Sequence, residues 1–170
     1  MSRLPLSISI ISFNEEANLR RCLAAVADLG EEIVIVDSGS KDRTGEIAAE
    51  FGARFIHQDW LGFTAQKNHA LSLCAQPWIL NLDCDEEVSP ELAASIRQFF
   101  ASGEAERWHG AEMARRTWFL GRWIRHGDWY PDRKTRLFRR EGSRWEAEGG
   151  GQVHERLVVD GATTRLAGDL

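Results

Sequence analysis

Along the first hundred residues the spacing of apolar positions switches repeatedly between two and about 3.6. Leu6-Ser7-Ile8-Ser9-Ile10-Ile11-Ser12 alternates and is β-branched, which predicts a strand. Asn14 then stands as a helix N-cap with Glu15 and Glu16 in the first turn. Ala17, Leu19, Cys22, Leu23, Val26 and Leu29 recur at helical spacing, and Gly30 is the expected stop. Glu32-Ile33-Val34-Ile35-Val36 carries an unbroken apolar run, as expected of a strand covered on both faces. A helix bearing Ile47, Ala48 and Phe51 ends at Gly52, a third strand spans 53–57, and a helix runs from Thr64 to Cys74. Pro77 bars its continuation, and Trp78 to Leu82 reads as a buried fourth strand.

Strands alternating with helices of ordinary length predict repeated βαβ units: an α/β fold with a mostly parallel central sheet flanked by helices. In such open sheets the ligand crevice lies past the carboxyl ends of the strands. Three polar, acidic loops occupy those ends, at 13–16, 37–42 and 83–87. Past the fourth strand, Ser89-Pro90 opens a helix to about Ala101, with proline at the favoured first position. Beyond Gly103 the texture changes. Strands are expected at 111–118, 135–139 and 153–159, a Gly-, Trp- and His-rich functional loop at 121–131, and a Gly-rich turn region at 141–151.

The fourth strand ends in Asp83-Cys84-Asp85-Glu86-Glu87. If the chain stays extended, Asp83 and Asp85 point the same way. Two carboxylates about 5 Å apart repel by roughly 3 kcal/mol at an effective dielectric near 20. A shared proton or a cation would offset that, and an open all-oxygen site suits Mg²⁺ or Mn²⁺ holding phosphate oxygens as well. The alternative is a solvated acidic turn before the helix at Ser89.

Charge sharpens this picture. The chain carries a net −5, yet residues 1–103 hold 15 acidic against 8 basic side chains, while 104–170 hold 13 basic against 11 acidic. An acidic first half with a basic stretch behind it suits anionic ligands at a cation-dependent site and argues against a general nucleic-acid binder. Three cysteines without a C-x-x-C pair indicate neither a disulfide framework nor a zinc knuckle, so a reduced, cytoplasmic setting is expected. No signal segment or long apolar run marks a membrane span, leaving at most peripheral contact with the inner membrane.

Taken together, Ser12-Phe13-Asn14-Glu15-Glu16, Val36-Asp37-Ser38-Gly39-Ser40-Lys41-Asp42-Arg43-Thr44 and Leu82-Asp83-Cys84-Asp85-Glu86 resemble the motif series of family-two, GT-A fold glycosyltransferases. The match in order and spacing covers roughly the first hundred residues. Gly121 to Asp132, Arg136 to Arg140 and Val153-His154-Glu155 further resemble the bacterial lipopolysaccharide or lipooligosaccharide core β-1,4-glucosyltransferases. The resemblance implies a single domain, with 1–103 binding a nucleotide sugar, 104–170 on the acceptor side, and an expected truncation at the C-terminus. It implies a UDP-sugar donor, with UDP-glucose favoured, a divalent metal, a saccharide or glycolipid acceptor, and inversion at the anomeric carbon. Phe13, Glu15 and Asp37 match positions holding the uridine. Lys67 and Asn68 match a helix facing the nucleotide, and Asp83 and Asp85 match the metal and diphosphate position.

Each residue also has a plainer reading. Asp37 serves equally well as a cap, Glu15 as a first-turn acid, and Lys67 as a solvated lysine. An inverting transfer needs a base. Glu155, Asp128 and Asp132 are the candidates; Glu155 is preferred on its place in the family's order, with a surface strand Glu as its alternative. His154 beside it reads as structural. From Arg115 to Arg144, ten basic residues interleave with Trp118, Trp123, Trp129 and Tyr130, which suits a phosphorylated saccharide, an anionic membrane surface, or a core with a solvated rim. Two other function classes remain open from the residues alone. A nucleotidyltransferase would release pyrophosphate, and a non-catalytic module would bind UDP without turnover. Neither G-x-x-x-x-G-K-[ST] nor G-x-G-x-x-G occurs, which disfavours P-loop and dinucleotide readings.

Overall fold

The computed structural model describes residues 2–119, 122–123, 130–148 and 155–170, with backbone alone at 118–119 and 122–123. In chain order the elements are β1 (Leu4–Ser12), α1 (Leu19–Val26), β2 (Gly30–Asp37), α2 (Thr44–Glu50), β3 (Arg54–His57), α3 (Phe63–Leu73), β4 (Trp78–Leu82) and α4 (Pro90–Ala101). Then come α5 (Glu104–Arg107), β5 (Gly110–Arg115), β6 (Trp118–Phe119), β7 (Arg122–Trp123), β8 (Asp132–Arg139), β9 (Ser143–Ala147), β10 (Glu155–Val159) and β11 (Thr163–Asp169).

Seven strands form one sheet in the order β11-β5-β8-β4-β1-β2-β3. The block β4-β1-β2-β3 is parallel throughout, as the alternation of strands and helices predicts. In register, Ser12 faces Asp37, Asp37 faces His57 and Ile10 faces Leu82, so the carboxyl ends of these strands share one edge. β8 enters antiparallel between β4 and β5, and β11 adds parallel to β5. The remaining strands form two small pairs, β6 with β7 and β9 with β10.

Strand periodicity divides the core. Leu6, Ile8, Ile10, Ile33, Ile35, Leu80 and Leu82 pack under α1, α2 and α4, where Leu19, Leu23, Ile47, Leu92, Ile96 and Phe99 meet them. On the opposite face Val34, Ile79 and Phe138 meet Leu71 and Cys74, with Leu157 and Val159 of β10 packed against them. Ser7 and Ser9 alternate with the isoleucines of β1 and are also buried, so both faces of β1 are covered. Trp78 sits edge-on to Phe99 and Phe100 and closes the first layer. Ser89 caps α4 by accepting from Leu92 N at 3.2 Å, with Pro90 in the first turn as expected.

Several local expectations fail for identifiable reasons. Gly30 does not end α1; the helix stops at Val26, and Gly30 pairs with Leu4 as the first residue of β2. A Cβ there would lie 2.5 Å from Leu6 O, so close strand packing demands the glycine. Asn14 does not cap a helix. It adopts φ 54°, donates its own N–H to Ser40 Oγ and accepts from Lys41 N, while α1 begins after Asn18 without a side-chain cap. The expected turn region after Glu141 holds β9, and the expected strand to Trp118 ends at Arg115. β11 was not predicted, since Leu166 is its one large apolar residue. Among the described residues no helix is long and apolar enough to cross a membrane.

Candidate functional site

The shared edge of β1, β2 and β4 gathers the polar loops. The loop after β1 and the loop after β2 are laced together: Glu15 N donates to Thr44 Oγ1 at 2.8 Å, Glu16 N to Asp42 Oδ2 at 3.0 Å, and Arg43 N to Glu16 Oε2 at 2.9 Å. Asp37 organises this corner. It is buried, and its carboxylate accepts from Ser12 Oγ, Ser40 Oγ, Gly39 N and Ser40 N. Those four bonds fill the acceptor sites of a carboxylate, so an added N–H from a ligand must displace a serine hydroxyl. Phe13 is 57% exposed at the end of β1. Glu15 accepts from Asn18 Nδ2 at 3.0 Å.

The charged centre lies beside this corner, at the end of β4. The chain does not stay extended past Leu82: Glu86 N donates to Asp83 O at 3.0 Å, making a turn of 83–86. Asp83 and Asp85 therefore occupy different surroundings. Asp83 meets two cations, Lys67 Nζ at 3.2 Å and Arg136 Nη2 at 2.5 Å. Asp85 is exposed and makes no hydrogen bond or ion pair among the described residues. Arg136, from β8, reaches Glu86 at 2.6 Å and Asn81 Oδ1 at 3.1 Å as well, and Glu86 in turn accepts from Asp83 N at 3.0 Å. Burial works to raise the Asp83 carboxyl, but Arg136 and Lys67 outweigh it and hold it below the usual carboxylate range. For Glu86 burial wins, aided by the neighbouring Asp83 charge, and its carboxyl is pushed up despite Arg136. Burial opposes the Arg136 charge, yet Glu86 and Asp83 keep that guanidinium firmly protonated.

Lys67 projects from α3 into the same cluster and is 3% exposed. It pairs with Glu155 Oε1 at 2.7 Å and lies 4.6 Å from the centre of the Trp145 ring. Its neighbour Asn68 bonds the backbone of β9 instead: Nδ2 donates to Trp145 O and Oδ1 accepts from Trp145 N, both at 2.9 Å. Gln66, fully buried one residue earlier, donates to Ser38 Oγ and Gln58 O and so ties α3 to the Asp37 corner.

These groups open on a cleft of about 400 Å³ lined by Lys67, Asp83 and Glu155 and by Arg115, Arg133 and Lys134 of β5 and β8. Of the candidate bases, Glu155 lines this cleft; Asp132 is engaged by Arg115 at 2.6 Å and Lys134 at 3.3 Å. Asp128 and His154 lie outside the described residues, as does Trp129. Tyr130 donates to Asp169 Oδ1 at 2.9 Å. Arg136, Glu86 and Gln66 stand within or beside the quoted motifs, but their part in the site is visible only in the fold. One signal was available: a charge directly before Leu137-Phe138 in a core strand needs a buried partner.

Among the described residues no three His, Cys, Asp or Glu side chains gather as a cage for a metal. A hard divalent ion does not require one, because one or two carboxylates with substrate phosphate oxygens suffice. The uncommitted carboxylate of Asp85, one turn from Asp83, fits that pattern.

Known proteins resemble this chain in sequence and in fold. A sequence model for the family described as "Glycosyl transferase family 2" matches residues 7–149. The lipopolysaccharide core biosynthesis glycosyltransferase LpsC of Rhizobium meliloti is 36% identical over 94% of this chain and 59% of its own. An uncharacterized glycosyltransferase of Rickettsia typhi is 36% identical over 78% of this chain and 42% of its own. The chain thus spans roughly half the length of these curated relatives. Among solved structures, TarS of S. aureus superposes with a TM-score of 0.60 at 16% identity, over 82% of this chain and 28% of that one. Glucosyl-3-phosphoglycerate synthase of Mycobacterium tuberculosis gives 0.53 at 20% identity, over 66% and 45%. At such identities the likeness is one of fold, and that fold is GT-A. With the family's pattern running from within β1 to just past β9, the chain belongs to glycosyl transferase family 2.

Proposed function

We propose that this chain carries the catalytic centre of an inverting glycosyltransferase that moves glucose from UDP-glucose to a saccharide acceptor of the lipopolysaccharide core. The observation that carries the reading is the meeting, in one cleft, of Lys67 from α3 and Asp83 at the end of β4 with Glu155 from β10. LpsC is named for lipopolysaccharide core biosynthesis. TarS has been crystallised with UDP and with UDP-GlcNAc, and the synthase with Mn²⁺, UDP-glucose and phosphoglyceric acid.

In this reading Phe13, Glu15 and Asp37 receive the uridine, and Lys67 sets a positive charge against the diphosphate. The acceptor hydroxyl gives its proton to Glu155 and its oxygen attacks the anomeric carbon from the face opposite the diphosphate. The bond from that carbon to the diphosphate oxygen breaks, its electron pair leaves with UDP, and the configuration inverts. A divalent ion held by Asp85, with Asp83 beside it, would neutralise charge on the departing diphosphate. Arg115, Arg133 and Lys134 line the same cleft and would suit an acidic saccharide on the acceptor side. The first half of the chain serves the donor and the second the acceptor, with peripheral contact at the cytoplasmic face of the inner membrane.

The test is UDP release from UDP-glucose in the presence of a core oligosaccharide. Activity should require Mg²⁺ or Mn²⁺ and disappear in Asp85→Ala. Activity that survives chelation would remove the metal from the reading; pyrophosphate as product would replace sugar transfer with nucleotidyl transfer.

A further inference from the structure

The Lys67 ammonium is already surrounded by partners. A lysine ammonium carries three N–H groups. Around it stand Glu155 Oε1 at 2.7 Å, Asp83 Oδ1 at 3.2 Å and the face of Trp145, centred 4.6 Å away. Because Lys67 also lines the cleft, an anion arriving there competes with these partners for the ammonium.

The two carboxylates are not equally held. Asp83 keeps a second cation, Arg136 at 2.5 Å, and sits at the end of a core strand. Glu155 has Lys67 as its single ion-pair partner among the described residues. It is the first residue of β10, in a two-stranded sheet separate from the seven-stranded one. When the ammonium turns toward a new anion, Glu155 is therefore the partner it leaves.

We propose that Lys67 exchanges partners during the reaction cycle: without nucleotide it neutralises and ties down Glu155, and a bound diphosphate takes the ammonium and frees that carboxylate to accept a proton. This rests on reading the cleft as a sugar-nucleotide site. A diphosphate brings more negative charge than one carboxylate, and a lysine ammonium is a compact point charge on a flexible stem that follows the stronger field. The base is thereby masked until the donor is in place. Lys67 acts here as a positioning residue for Glu155.

The exchange has a signature opposite to that of an ordinary ligand. Bound ligands usually slow amide hydrogen exchange near their site, whereas loss of the tie from α3 to Glu155 should loosen β10. The experiment is hydrogen exchange of the β9 and β10 amides with and without UDP and Mn²⁺, with thermal melting of the same samples. In the wild-type chain UDP should raise the melting temperature and speed exchange across Arg156–Val159 several-fold. Glu155→Gln should exchange fast from the start, with no further effect of UDP. Lys67→Met, which keeps an apolar stem against Trp145, should show the same loosened β10 and serves if the first variant does not fold. UDP that stabilises the wild-type chain while β10 exchange slows or stays constant overturns the exchange and leaves the nucleotide reading intact. UDP that does not bind at all overturns both.

Discussion

Asn68 holds the backbone of Trp145 from both sides, giving Nδ2–H to its carbonyl and taking its N–H on Oδ1, each at 2.9 Å. This pair of bonds fastens β9 to α3 across 77 residues of sequence and sets the indole against Lys67. Asn68→Ala leaves two backbone groups without partners, which should cost about 2 kcal/mol. That corresponds to a fall in melting temperature of roughly 4–8 °C for a chain of this size. Asn68→Asp keeps the acceptor and loses the donor, so it should fall between the two. Calorimetric melting of the three proteins checks the order.

Among the described residues Arg136 is the single cation bonded to Glu86, and the two side chains are equally buried. Removing one partner of a buried pair typically costs 3–5 kcal/mol, because the other charge is left uncompensated. Arg136→Met should therefore lower the melting temperature by on the order of 10 °C. Adding Glu86→Gln should recover part of the loss, since it removes the stranded charge. Equal stability of the single and double variants would contradict the assigned pairing.

Asp37→Asn is nearly isosteric but replaces one accepting oxygen with a donor. With the amide oxygen kept toward Gly39 N and Ser40 N, the NH₂ faces the Ser12 and Ser40 hydroxyls, which must turn from donating to accepting. A loss of about 1 kcal/mol or more follows as charge-assisted hydrogen bonds become neutral ones. The Asp37–Ser40 loop should open with it, and calorimetry should show weaker UDP binding than in the wild-type chain.

Acid should destabilise the fold through Glu32. Burial works to raise this carboxyl, but hydrogen bonds from Ser7 Oγ, Ala75 N, Arg54 and Gln76 N prevail and bring it below its ordinary value of 4.5. The unfolded chain then takes up the proton first as pH falls. The contribution is complete above about pH 5, declines as pH drops below the ordinary value of 4.5, and is gone below the folded value. Melting temperature followed from pH 7 to 3 should fall less steeply in Glu32→Gln than in the wild-type chain.

The donor-side half of the site was legible because its signals are local. Ile33 to Val36 and Trp78 to Leu82 are short apolar runs that end in acids, and parallel strands joined by helices bring such ends to one edge. Asp37 and Asp83 could be placed at that edge from this alone, whereas Lys67, on a helix, was placed only by the family resemblance. Two readings based on residue type misjudged the local geometry. Gly30 looked like a helix stop but is needed for close approach to Leu6, and the aspartates at 83 and 85 looked alike but are separated by a turn.

By itself, the sequence determined the βαβ rhythm, the burial of the strands and the polar edge where they end. Periodicity and turn chemistry act over a few residues, and those features need nothing more. Only the tertiary structure decided that Arg136 would enter the core beside Asp83, and that Glu155 would meet Lys67 across 88 residues. Both follow from β8 running antiparallel between β4 and β5, and from the β9–β10 pair folding back over α3. Long-range strand order leaves little trace in local spacing, so the pairing of these charges had to be seen in the folded chain.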